Sequence, residues 1–169
     1  MRRMSIQGQR ILGPEGMPFR LPDVEADLAV AGWLEVGQHR MWSTTGLLEV
    51  FTIFEVTEAI LSGGALTMDI GVTGSLKIMG DGIPKASLTL NKLVEPRGST
   101  VMSDAIAVQS VYDGTRTLRM RLLLSRAVTG IGYTINAAAS NDGKLRGRLW
   151  YAKRSDDATI VAAAGGSPI

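Results

Sequence analysis

The sequence predicts an all-β protein, a β-sandwich of the jelly-roll type preceded by an extended N-terminal arm. Three observations predict it. Apolar residues recur at every second position: Leu118, Met120, Leu122 and Leu124 alternate with Arg119, Arg121 and Leu123, and Leu66, Met68, Ile70 and Val72 alternate with Thr67, Asp69 and Gly71. Side chains with a period of two share one face of a pleated strand. Turn formers punctuate the chain at Gly63-Gly64, Gly80-Asp81-Gly82, Pro96-Arg97-Gly98, Asp113-Gly114 and Asn141-Asp142-Gly143, and Asp-Gly pairs supply the positive-φ positions of tight hairpins. The stretches between them are of strand length and follow one another at the spacing of a sandwich.

Residues 1–25 read as the arm. Gly8, Gly13, Pro14, Gly16, Pro18 and Pro22 forbid a sustained helix and leave few backbone donors for a central strand. The arm nevertheless carries Ile11, Leu12, Met17, Phe19 and Leu21, more apolar bulk than a linker exposes, so these side chains are expected to lie on the body of the same subunit or of a neighbour. Residues 26–163 form the single domain. Its first strand is placed near 27–36, on Leu28, Val30, Trp33 and Leu34. From Leu47 the alternation sharpens, with Leu48, Val50, Phe54 and Val56 on one face and Leu47, Phe51 and Ile53 on the other. Apolar residues on both faces imply a central strand buried on two sides. Further strands are expected at 65–72, 75–79, 86–93, 100–112, 115–126, 131–139, 144–153 and 158–163, and the small-residue tail 164–169 is read as flexible.

Composition narrows the function. Apolar residues make up 45% of the 169 and charged residues 20%, as in globular domains. There is no cysteine, which excludes disulfides and thiolate metal sites. No apolar run approaches the roughly 18 residues needed to cross a bilayer, and no signal-type segment follows Arg2 and Arg3, so the reading is of a soluble protein made in the cytoplasm with no membrane partner. The charge is uneven: residues 1–84 hold six Lys/Arg against ten Asp/Glu, and residues 85–169 hold twelve against six. Such a split can attract neighbouring copies or an acidic shell, or can simply be solvated strand faces.

The chemistry-bearing residues do not assemble into an enzyme. His39 is the one histidine, which leaves no two-histidine metal site, and no Gly-x-Ser-x-Gly elbow presents a nucleophile. Glu49 and Glu55 share a strand face, but six residues hold them about 20 Å apart, too far to flank one glycosidic bond. No Gly-Lys-Ser/Thr follows the glycines at 63, 64, 71, 74, 80 and 82, which are turn glycines. No catalytic residue, metal ligand or cofactor is therefore assigned. The sharpest local signal is cationic: Arg119 and Arg121 share one strand face, and Arg146 and Arg148 share another, forming candidate charged interfaces. Nucleic acid is disfavoured as their partner because aromatic residues, at 5%, are too scarce for stacking platforms. A solvated or intersubunit face opposite Glu and Asp is the simpler reading.

Two stretches resemble a family of small bacteriophage proteins. One is Glu55-Val56-Thr57-Glu58-Ala59-Ile60, after an apolar strand; the other runs from Tyr133-Thr134-Ile135-Asn136 through Ser140-Asn141-Asp142-Gly143 and the Arg146/Arg148 strand to Trp150-Tyr151, closing on Val161-Ala162-Ala163. The family's Gly-Gly-Pro turn before the apolar strand is Thr44-Thr45-Gly46 here. The resemblance implies a virion component with no catalytic residues to carry over. The leading expectation is a capsid decoration or cement protein, a homotrimer that bridges major capsid protein subunits through Ile11, Leu12, Met17, Phe19 and Leu21 of its arm. A tail or fibre protein is the alternative within that class. A carbohydrate-binding module is the alternative outside it, with Trp150 and Tyr151, or Trp33 and Trp42, as sugar platforms.

Overall fold

The structure, a computed structural model, describes residues 4–6, 9–11, 17, 19–94 and 122–163. It is all-β. Strands β1 (Met4–Ile6) and β2 (Gln9–Ile11) form an antiparallel pair. The body follows with β3 (Phe19–Arg20), β4 (Val24–Asp27), β5 (Gly37–Thr45), β6 (Leu48–Leu61), β7 (Thr67–Val72), β8 (Ser75–Pro84), β9 (Leu93–Val94), β10 (Leu122–Leu124), β11 (Gly130–Asn136), β12 (Asp142–Lys153) and β13 (Thr159–Ala162). The expected strand at 100–112, most of that at 115–126 and the tail 164–169 lie outside the described residues.

Two antiparallel sheets pack face to face. In the first, β6 and β12 run side by side through the middle; β10 and β9 share the outer edge of β6, and β3 and β4 share the outer edge of β12. The second has the order β13-β5-β11-β7-β8. Leu48, Val50, Phe54 and Val56 of β6 and Leu145 and Leu149 of β12 meet Trp42 of β5, Met68 and Ile70 of β7, and Ile131, Tyr133 and Ile135 of β11 in one core. Thr52 joins the sheets too, its Oγ1 donating to Met79 Sδ at 3.2 Å.

Trp42 is the largest fully buried side chain, and its ring sits edge-on to Phe54 with centroids 6.0 Å apart. The indole lies over Gly147 of the facing sheet so closely that any β-carbon there would overlap the ring. A bulge where β5 meets β11 lets the adjacent Met41 and Trp42 both enter the core, which strict alternation would forbid. Gly143, at φ 114°, takes up a second bulge where β12 meets the end of β6.

Two expectations change. The segment expected as a strand at 27–36 is a series of turns after β4: Asp27 Oδ1 accepts the Ala29 N–H at 3.1 Å, Gly32 adopts φ 95°, and the Glu35 carboxylate accepts the Gly32 N–H at 3.0 Å. Local side-chain acceptors outcompete a ladder there. His39 closes the turn, its Nδ1 3.0 Å from Gly32 O and its Nε2 2.7 Å from Glu35 O. The segment 86–93 holds a 3₁₀ turn at Lys85–Ser87 and only the start of a strand at Leu93, because Pro84 ends β8 and Asn91 sits at φ 66°. Residues 19–25, read as the end of the arm, pair within the first sheet: Arg20 pairs with Trp150, Leu21 donates its N–H to Leu149 O at 3.1 Å, and Glu25 pairs with Arg146.

The contact of Trp42 with Gly147 predicts that Gly147→Ala destabilises the protein by about 1–3 kcal/mol, the usual result of overpacking a core. Urea unfolding measures it. A loss under about 0.5 kcal/mol would mean that the ring has room to move.

Candidate interaction site

The outer face of the first sheet gathers the charged residues. Along β12 the pleat sends Leu145, Gly147 and Leu149 inward and Arg146, Arg148, Trp150 and Ala152 outward. Arg146 lies opposite Glu55 of β6 and Glu25 of β4, Arg148 opposite Ile53, and Trp150 opposite Phe51 and Arg20. Each arginine thus has an acid-bearing strand beside it.

The ion pairs follow from that register. Arg148 Nη2 is 2.7 Å from Glu55 Oε2, and Arg148 Nε donates to Asp23 Oδ2 at 3.3 Å. Arg146 Nη2 donates to Glu25 Oε2 at 2.9 Å, while its Nη1 stands 3.9 Å from Glu55 Oε2. Asp23 Oδ1 also accepts from Arg20 Nη2 at 2.6 Å, and the Arg20 guanidinium lies 5.4 Å from the Trp150 ring centre. The ridge Arg20, Asp23, Arg148, Glu55, Arg146, Glu25 alternates in sign along its pairings and sums to zero.

Burial divides the ridge. The side chains of Arg148 and Glu55 are 6% and 5% exposed, whereas Arg146 and Glu25 are at 36% and 40%. The 2.7 Å approach of Arg148 Nη2 to Glu55 is an ion pair outside hydrogen-bonding angles, and Arg148 Nη1 has no hydrogen-bond partner. Exposed pairs contribute about 0–1 kcal/mol each, but removing one member of a buried pair strands the other's charge at a cost of about 3–5 kcal/mol. Beside the pair lies a second apolar cluster of Met17, Phe51, Ile53, Leu93, Trp150 and Ala152. The first sheet is therefore buried on both faces at β6, as its two-sided apolar pattern requires.

Of the arm residues singled out by sequence, Met17 joins this second cluster, Phe19 is exposed with its ring 5.2 Å from Tyr151, and Leu21 packs on the main core. Ile11 ends β2, and Leu12, Arg119 and Arg121 lie outside the described residues. Arg146 and Arg148 do share a face, and both engage acids of their own chain. Trp42 and Trp150 are buried and offer no open ring for a sugar, and Trp33 is partly covered, stacked on Tyr133. The partners missed by sequence reading are Asp23 and Glu25, in what reads as a proline-rich arm; the charged residues Arg20, Asp23 and Glu25 around Pro22 are the signal available there.

Other titratable groups are tied to local structure. The Glu35 carboxyl is held below its usual range, chiefly by the Gly32 N–H, and Asp157 is lowered by the Ser155 hydroxyl, with Arg126 beside it. Lys144 is raised by its hydrogen bond to Glu58, Nζ to Oε2 at 2.8 Å. Burial pushes the Tyr133 phenol above its ordinary range, so it stays protonated and donates to Trp33 O at 2.9 Å. Among the described residues, no group of three or more His, Asp or Glu is placed to hold a metal ion.

No protein-family model matches the chain, and neither a curated protein nor a solved structure matches it.

Two predictions follow from these charges. Arg148→Met, which leaves Glu55 buried without its cation, should cost about 3–5 kcal/mol in urea unfolding, and the double change with Glu55→Gln should recover much of the loss. A single-mutant loss under about 1 kcal/mol would mean that Glu55 is solvated. Glu35 and Asp157, with folded-state values below their unfolded ones, favour the fold above about pH 4; that contribution is lost as pH falls through the folded values. Thermal melts taken at decreasing pH should show the loss, and Glu35→Gln should flatten it.

Proposed function

We propose that the protein is a structural component of a bacteriophage particle, a capsid decoration or cement protein. It is a jelly-roll-like sandwich, made in the host cytoplasm, that binds the major capsid protein as a small homo-oligomer, most simply a trimer. The observation that supports this reading is the state of the described ridge arginines and of His39. The ridge arginines are neutralised by acids of the same chain, and both ring nitrogens of His39 meet backbone carbonyls. These groups hold strands and turns together, and a rigid block that works by contact needs them there. The resemblance of the 133–151 segment to small phage proteins supplies the viral context.

The mechanism is mechanical. A sandwich whose central strands are buried on both faces resists deformation, and each area of apolar surface it covers on a neighbouring subunit contributes roughly 25 cal/mol per Å². Exposed apolar side chains such as Phe19, Val36, Leu61 and Leu90 are available for such contacts. The segment before β3 is the proposed bridge, since residues 19–25 pair within the first sheet.

Quantitative mass spectrometry of purified particles tests the reading. Copy numbers comparable to the major capsid protein are expected; a few copies per particle would move the protein to the tail, and absence from particles would overturn the proposal. Deleting residues 1–16 should leave the melting temperature nearly unchanged and abolish particle binding, and retained binding would remove the arm from the mechanism.

A further inference from the structure

A cavity of about 520 Å³ opens between the end of β6 and the turn after β8, with Leu61, Ser62, Lys85, Leu88, Thr89 and Asn141 in its lining. Lys85 follows Pro84, the residue that ends β8, and its backbone N–H bonds Leu66 O at 3.0 Å, so the main chain fixes where the side chain starts. The ammonium is fixed as well: Nζ donates to Ser62 O at 2.7 Å and to Gly64 O at 3.0 Å. An ammonium has three donors, so one remains. Among the described residues no carboxylate pairs with it, whereas Lys77, Arg126, Lys144, Arg146, Arg148 and Arg154 all pair with acids of the chain.

Such a lysine differs from a solvated one. Its rotamer freedom is already lost to the two carbonyls, so a ligand that meets it bears little further ordering cost. The neighbouring Thr89 and Asn141 are exposed side chains able to donate hydrogen bonds. Leu61, 52% exposed, forms an apolar rim. A fixed, uncompensated cation beside neutral donors and an apolar wall matches a carboxylate on a short aliphatic stem.

We propose that this cavity is a docking pocket for a glutamate or aspartate side chain of the particle subunit on which the protein sits. This rests on the virion reading above, and the test separates the two. In nuclear magnetic resonance titrations of the full chain, glutamate blocked at both ends should give saturable shifts at Ser62, Gly63, Ala86 and Thr89, and blocked glutamine should give none. Lys85→Arg should keep the shifts and Lys85→Met should lose them, with thermal melts confirming that both variants fold. Lys85→Met should also weaken particle binding at least tenfold.

Equal shifts from the two blocked amino acids, or none from either, would overturn the pocket while leaving the virion reading to the particle copy number. Shifts from blocked glutamate in a protein absent from particles would support the pocket's chemistry and overturn its assignment to a particle subunit. Tighter binding of free glutarate, with particle binding unchanged in Lys85→Met, would replace the protein partner with a small metabolite.

Discussion

The fold depends on one contact between its sheets, the seating of Trp42 on Gly147. A sandwich holds its two layers about 10 Å apart, and a side chain as large as tryptophan fits between them only where the opposite layer gives up a side chain. Gly147 does that in the middle of β12, with Phe54 beside it to meet the indole edge. The position of the ring in turn depends on the bulge in β5, which turns Trp42 inward next to Met41. Moving β12 by one residue along β6 would place Arg146 or Arg148 under the indole. The aromatic contact and the choice of face for the arginines are therefore one constraint.

That constraint explains why a charged pair is buried on the far side of the same strand. Once Gly147 faces inward, its neighbours Arg146 and Arg148 must face outward, onto a sheet surface that also carries Phe51, Ile53 and Trp150. The apolar cluster shields Arg148 and Glu55 from water, and a buried guanidinium is tolerable only with a carboxylate beside it. Glu55 approaches it from β6 and Asp23 from the link between β3 and β4, so the pairing ties that edge to the centre of the sheet.

Much of this was legible in the sequence where one side of a strand was apolar and the other polar. β7, β11, β12 and β13 fall close to their expected places, and the two-sided apolar pattern of β6 correctly marked the strand at the centre. The failures share a physical origin. In 28–36 the apolar residues Leu28, Trp33 and Leu34 anchor a turn whose backbone is satisfied by Asp27, Glu35 and His39, and hydrogen bonds of that kind leave no period to read. In 86–93, Leu88 is fully buried although it follows a 3₁₀ turn, since Ile60 donates its N–H to Leu88 O and holds it against β6. The arginine half of the ridge was visible as Arg146 and Arg148 on alternate positions. Its acidic half was hidden, because Asp23 and Glu25 reach the ridge only through pairing across more than a hundred residues.

The uneven charge of the chain takes on a different meaning in that light. As a sequence, an acidic first half and a basic second half suggest attraction between copies. In the fold the two halves meet within one molecule: Lys144 pairs with Glu58, Arg146 with Glu25 and Glu55, Arg148 with Asp23 and Glu55, and Arg154 with Glu49. Basic β12 lies between acidic β4 and β6, and the observed register sets Arg146 opposite Glu25 and Glu55 and brings Arg148 within reach of Glu55. The asymmetry is thus spent largely on pairings within the first sheet. Among the described residues Lys85 stands outside these pairings, its ammonium held by the carbonyls of Ser62 and Gly64 and by no carboxylate.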